Sequence, residues 1–197
     1  MTVPRSTLGI GVAFLASVGV LTLFAFGSAS GPPTHLDRDL VAGRLLFPLP
    51  ASERGGLRDS FHEKRGLRMH EAVDIMAPRG TQILAVGDGK IVKLFRSVPG
   101  GKTIYQFDAT ETYAYYYAHL DQYADGLKEG AYVKRGDVIG YVGSTGNAPA
   151  NAPHLHFAIF KLGPQRQWWK GEPIDPYPYF AKPISASQAS GWRRAPG

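Results

Sequence analysis

Between residues 46 and 180 the sequence breaks into short runs rich in β-branched and aromatic residues, each closed by glycine, proline or another turn former. The runs are 73–76, 83–86, 90–95, 103–107, 113–117, 138–142 and 155–160. No stretch of this body sustains an apolar 3.6-residue repeat over three turns, so its helices are expected to be short and peripheral. Gly87-Asp88-Gly89 and Pro99-Gly100-Gly101 supply tight-turn chemistry, because glycine reaches positive φ without a steric penalty. The pattern predicts an all-β antiparallel fold, sandwich or barrel-like, and the 24 glycines and 15 prolines agree with it.

The N-terminus follows a different rule. Residues 8–27 contain no charged side chain and match the length of about 20 apolar residues that a spanning helix needs. A buried helix of a small domain would show a polar face, and this stretch has none. Arg5 precedes it, and Gly27-Ser28-Ala29-Ser30 offers the small residues of a signal-peptide cleavage site. The length favours a retained anchor, and either outcome exports the remainder. Residues 1–30 are therefore expected to form a membrane anchor or signal helix, 31–45 a linker, 46–180 the folded domain and 181–197 a flexible tail.

The chain has no cysteine, which removes disulfides, thiol nucleophiles and Cys-based zinc sites. Any metal must then be held by His, Asp or Glu. A net charge of +6 suits anionic polymers, yet the Lys and Arg residues are scattered and form no aromatic-interleaved face, which speaks against nucleic acid as a partner. Most of the histidines fall in three short motifs: His70-Glu71-Ala72-Val73-Asp74, Tyr117-Ala118-His119-Leu120 and His154-Leu155-His156-Phe157. Residues two apart on a strand share a face, so His154 and His156 point together, and so do His70 and Asp74 if their segment is extended. Two imidazoles and a carboxylate on neighbouring strands can hold zinc and leave its fourth position open. Glu71 would be a general base only on a helix, and the β-rich residues 73–76 followed by Ala77-Pro78 leave no room for one, so Glu71 is expected at the surface. Tyr113, Tyr115, Tyr116 and Tyr117 pack a strand or wall a groove.

The body, from about residue 47 to 179, resembles the LytM/lysostaphin family of zinc endopeptidases. The resemblance rests on residues 68–81, 85–92, 117–120, 133–140, 143–146 and 153–157, in the family's order. It implies an antiparallel β fold with one zinc ion on a groove floor and hydrolysis of peptide bonds in peptidoglycan stems or cross-bridges. Position by position it makes His70, Asp74 and His156 the zinc ligands and His119 and His154 the catalytic histidines, with the base left open between those two. Loop 147–152 is longer than the family's shortest form, and Ala158 stands where many members carry Glu, departures that touch groove shape. Relatives that have lost ligands bind wall or activate other wall hydrolases, which is the alternative to an enzyme. This chain keeps all five positions. Its expected partners are a peptidoglycan peptide and, through the N-terminal helix, a membrane, with a regulatory protein left open. Its expected location is the cell envelope on the outer side of the membrane, or outside the cell if the leader is cleaved.

Overall fold

A computed structural model of the protein describes residues 45–181. The apolar run 8–27, the linker up to residue 44 and the tail from residue 182 lie outside the described residues. No helix among the described residues is long and apolar enough to cross a membrane.

A 3-10 turn at Ala51–Gly56 leads into β1 (Lys64–Arg65), β2 (Arg68–Met69), β3 (Val73–Met76), β4 (Gln82–Leu84), β5 (Gly89–Ser97) and β6 (Gly101–Asp108). There follow β7 (Tyr113–Tyr123), β8 (Tyr132–Val133), β9 (Val138–Val142), β10 (His154–Leu162), β11 (Gly171–Ile174) and one short helix, α1 (Tyr177–Phe180). β1 and β2 form a separate hairpin, and the other nine strands make one antiparallel sheet. Its spine runs β11-β10-β7-β6-β5-β8. The sheet branches because its two central strands change partners along their length. β10 pairs with β3 through His154 to Phe157 and with β11 from Ile159 onwards. β7 pairs with β10 through its first half and with β9 from Leu120 to Tyr123.

Strand alternation separates core from groove. Val73 and Ile75 are fully buried opposite Phe157 and Leu155, while Asp74 between them stands opposite His156 on the other face. Tyr115 and Tyr117 of β7 go to the core with Ile104 and Ile159. The Tyr117 hydroxyl donates to Gln106 Oε1 at 2.8 Å and accepts from the Val86 N–H at 3.1 Å, and Gln106 Nε2 donates to the Gly87 carbonyl at 2.7 Å. A satisfied chain of this kind avoids the 1–3 kcal/mol or so that an unpaired buried polar group costs.

The antiparallel all-β expectation holds, and runs 73–76 and 138–142 become strands at those bounds. Pro99-Gly100-Gly101 closes the β5–β6 hairpin with Gly101 at φ 65°. The hairpin reading of Gly87-Asp88-Gly89 does not hold. The segment passes from β4, paired with β9, to β5, paired with β6 and β8, so the chain crosses between pairings and does not fold back. Neither glycine has positive φ, and Gly89 is needed because a Cβ there would collide with the Phe107 carbonyl.

Candidate metal centre

Asp74 and His156 face each other across the β3–β10 ladder, which fixes both on the groove face. His70 arrives by another route. Its segment is not extended as expected: Glu71 sits at φ 54°, and His70 lies ahead of β3 in a loop. The loop is tied down by the His70 N–H on the Glu63 carbonyl at 2.8 Å and the Glu71 N–H on the Phe61 carbonyl at 3.0 Å. Glu71 is exposed, in line with the sequence reading. His70 Nδ1 is 3.0 Å from the Ser60 carbonyl, and since a carbonyl can only accept, Nδ1 carries the hydrogen and Nε2 keeps its lone pair. That nitrogen lies 3.2 Å from Asp74 Oδ1 and 3.0 Å from His156 Nδ1, while His156 Nδ1 is 3.2 Å from Asp74 Oδ1.

The three donor atoms form a nearly regular triangle, and its size tests the metal. Tetrahedral bonds of about 2.0–2.1 Å place neighbouring donors about 3.3 Å apart, so the triangle is within a few tenths of an ångström of a zinc site. Two imidazole nitrogens and one carboxylate oxygen are also a donor set of catalytic zinc sites. Among the described residues this is the His/Asp/Glu group brought close enough to hold an ion.

Neighbouring side chains tune these atoms. Burial raises the Asp74 carboxyl, but hydrogen bonds and charge from His156 and His70 outweigh it and hold the group well below the usual carboxylate range. The Arg65 guanidinium takes the other carboxylate oxygen, Oδ2, at 2.9 Å, and Ser60 Oγ accepts the Asp74 N–H at 3.1 Å. Burial lowers His156 despite its carboxylate partner. Nothing in sequence spacing singles out Arg65 or Ser60; each reaches the site only through the folded loop and the β1–β2 hairpin.

His119 reaches the groove through a bulge. Lys102 pairs with Leu120 and Ile104 with Tyr117, so Ala118 and His119 together oppose Thr103. In a regular strand His119, two residues after the core residue Tyr117, would point inwards. The extra residue and a φ of 63° turn it outwards. Its Nδ1 donates to the Thr145 carbonyl at 2.8 Å, leaving Nε2 as an acceptor. Burial, more than any other influence, pushes this imidazole down to about 4, so it is neutral at physiological pH. His154 likewise donates from Nδ1 to the Ala152 carbonyl at 2.9 Å, and its Nε2 stands 3.8 Å from Asp74 Oδ1. The rings of His119 and His154 are 4.8 Å apart.

All five histidine and aspartate positions border one open pocket of about 250 Å³, together with Arg65, Tyr116 and Pro149. Of the four clustered tyrosines, Tyr113, Tyr115 and Tyr117 belong to the core and Tyr116 walls the pocket.

Residues 68–176 match Peptidase family M23. The chain belongs to this family. All five positions of the site fall inside the matched segment. The M23 chain is 34% identical over 153 residues to an L-Ala--D-Glu endopeptidase of Bacillus subtilis, which covers 74% of this chain and 44% of that one. It spans less than half the length of the curated relatives it matches. Its fold superposes on the catalytic domain of lysostaphin from Staphylococcus simulans with a TM-score of 0.55 and 29% identity, over 68% of this chain and 99% of that one. A zinc containing peptidase from Vibrio cholerae matches with a TM-score of 0.52 and 26% identity, over 66% of the M23 chain and 37% of that structure.

Proposed function

We propose that this chain is a zinc-dependent endopeptidase that hydrolyses peptide bonds in peptidoglycan stems or cross-links. In this reading His70, Asp74 and His156 hold one zinc ion, and His119 and His154 handle protons. The observation that carries it is the donor triangle with sides of 3.0, 3.2 and 3.2 Å, bordered in the same pocket by two imidazoles that are not part of it. The relatives from Vibrio cholerae named as peptidoglycan DD-endopeptidases support the substrate class.

Zinc in that position supplies Lewis acidity, lowering the pKa of water towards neutrality and polarising a carbonyl. The residues of the chain do the rest. Ser60 and Arg65 orient His70 and Asp74 through the atoms that do not face the triangle, which fixes the donor atoms before any ion arrives. His119 and His154 are each pinned at Nδ1 by a backbone carbonyl, so Nε2 carries the lone pair. Either can take a proton from the attacking water or return it to the leaving amine. Residues 8–27, outside the described residues, anchor the domain or direct its export, so that it works on the wall side of the membrane.

Metal analysis of the purified chain, combined with mass spectrometry of digested wall fragments, tests this. His70→Ala and Asp74→Ala are expected to lose both zinc and new peptide ends. His119→Ala is expected to keep zinc while its turnover falls at least about a hundredfold, the scale of a proton-transfer residue. A wild-type chain with no zinc and no cleavage would sink the enzyme reading and leave a non-catalytic wall-binding module. Equal zinc loss in all three variants would sink the division of roles.

A further inference from the structure

An aromatic row leads out of the pocket across the groove face of the sheet. It begins at His156, whose ring is 5.8 Å from Tyr116. Tyr116 of β7 is 4.6 Å from Tyr105 of β6, and Tyr105 is 4.8 Å from Trp168 in the β10–β11 loop. Trp168 in turn lies 5.5 Å from Phe95 of β5 and 5.2 Å from Trp169. The tyrosines and Trp168 are half-buried, while Phe95 is 40% and Trp169 61% exposed. The loop that carries the tryptophans is held in shape by turns at Gly163–Arg166 and Gln167–Lys170 and by the Arg166–Glu111 ion pair at 2.6 Å. Apolar side chains that gather into one patch at a surface, as Phe95, Trp168 and Trp169 do, mark interaction sites and ligand grooves.

We infer that this row is a saccharide-binding track that seats the glycan strand to which the substrate peptide is attached. The inference rests on the peptidase reading for its substrate, and the row itself limits what can lie on it. β6 is paired on both sides, with β5 and β7, and β7 is paired on both sides here, with β6 and β10. At Tyr105 and Tyr116 these ladders are continuous, so this part of the floor offers an extended peptide no free backbone edge and gives ring faces and ring-edge polar groups. A pyranose ring matches that offer. Its axial C–H groups form an apolar face that stacks on an aromatic ring, and its hydroxyl and acetamido groups project at the edge, where a tyrosine O–H or an indole N–H can meet them. Continuity gives the direction: Tyr116 belongs both to the row and to the wall of the metal pocket, so a sugar on the track has its peptide stem at the donor triangle.

The probe is chitotetraose, a β-linked tetramer of N-acetylglucosamine, titrated into the full chain and followed by NMR. Saturable binding is expected with and without a chelator, because no metal ligand belongs to the row beyond its first ring. Trp169→Ala and Phe95→Ala are each expected to weaken it about tenfold or more. Tyr132→Ala, which alters an exposed aromatic outside the row, serves as the control and keeps wild-type affinity. The two test variants lie on different elements, so misfolding of one, checked by circular dichroism, leaves the other to decide. On intact sacculi against free stem peptide, the same variants lower the ratio of cleavage rates. No binding by wild type, or wild-type affinity in both folded variants, overturns the inference. A chain that binds chitotetraose yet cuts neither substrate overturns the peptidase reading and not the track.

Discussion

At His119 the backbone holds φ at 63°, a region that costs a non-glycine side chain about 1–3 kcal/mol. The conformation persists because the His119 N–H is bound by the Gly100 carbonyl at 2.9 Å and the ring by the Thr145 carbonyl. Removing the ring while keeping a Cβ leaves the strain in place, whereas glycine relieves it. His119→Gly should therefore be more stable than His119→Ala by about 1 kcal/mol in urea denaturation, the reverse of the usual order for a strand position. An alanine variant equal to or above the glycine variant would show that no strain resides there. Arg65 argues in a similar way from a single contact. Its guanidinium is half exposed, so as a surface ion pair it would contribute little, about 0–1 kcal/mol. With Asp74 as a zinc ligand, as proposed, the contact to Oδ2 would orient a metal donor, and such outer contacts typically change metal affinity by about 10–100-fold. Arg65→Met is expected to weaken zinc binding about tenfold in a competition with a chromophoric chelator; an unchanged constant would reduce Arg65 to a surface charge.

Elements set how these residues meet, and they show what could be read beforehand. The alternation of Val73, Asp74 and Ile75, and of His154, Leu155 and His156, was legible because a period of two needs only neighbours in sequence. The convergence of those strands was reached through resemblance, not periodicity. Three features resisted: the β7 bulge at His119, the kink at Glu71 and the crossing at residues 87–89. The bulge and the crossing depend on pairing with distant strands, the kink on loop hydrogen bonds to the Phe61 and Glu63 carbonyls, and a bulge inverts the face of every residue after it. The Tyr run shows the same split, since alternation sorts Tyr115 and Tyr117 from Tyr116 but cannot say which face is core. Tyr117 ties β7 to β6 and to the segment after β4 through its hydroxyl. Tyr117→Phe keeps the packing and leaves Gln106 Oε1 and the Val86 N–H without that partner, so it should cost about 1–3 kcal/mol of unfolding free energy, read from chemical denaturation. A loss near zero would mean that both groups find other partners on relaxation.

For the whole molecule, the donor triangle, read as the proposed zinc site, would act as a clasp between remote parts of the chain. His70 and His156 are 86 positions apart, and Asp74 and His156 are 82 apart, so the unfolded chain presents no comparable site. An ion that binds the native state alone stabilises it by mass action, about 2.7 kcal/mol when free zinc is a hundredfold above its dissociation constant. For a domain of this size that corresponds to a rise in melting temperature on the order of 5–10 °C. Scanning calorimetry with zinc and with a chelator should show this rise for the wild type and for His119→Ala, whose donor triangle is intact. Asp74→Ala should melt at one temperature in both conditions, because two imidazoles without the carboxylate no longer supply three donors. The comparison separates clasp from chemistry: a zinc shift retained by Asp74→Ala would move the ion away from the triangle, and a shift lost in His119→Ala would make that histidine a ligand.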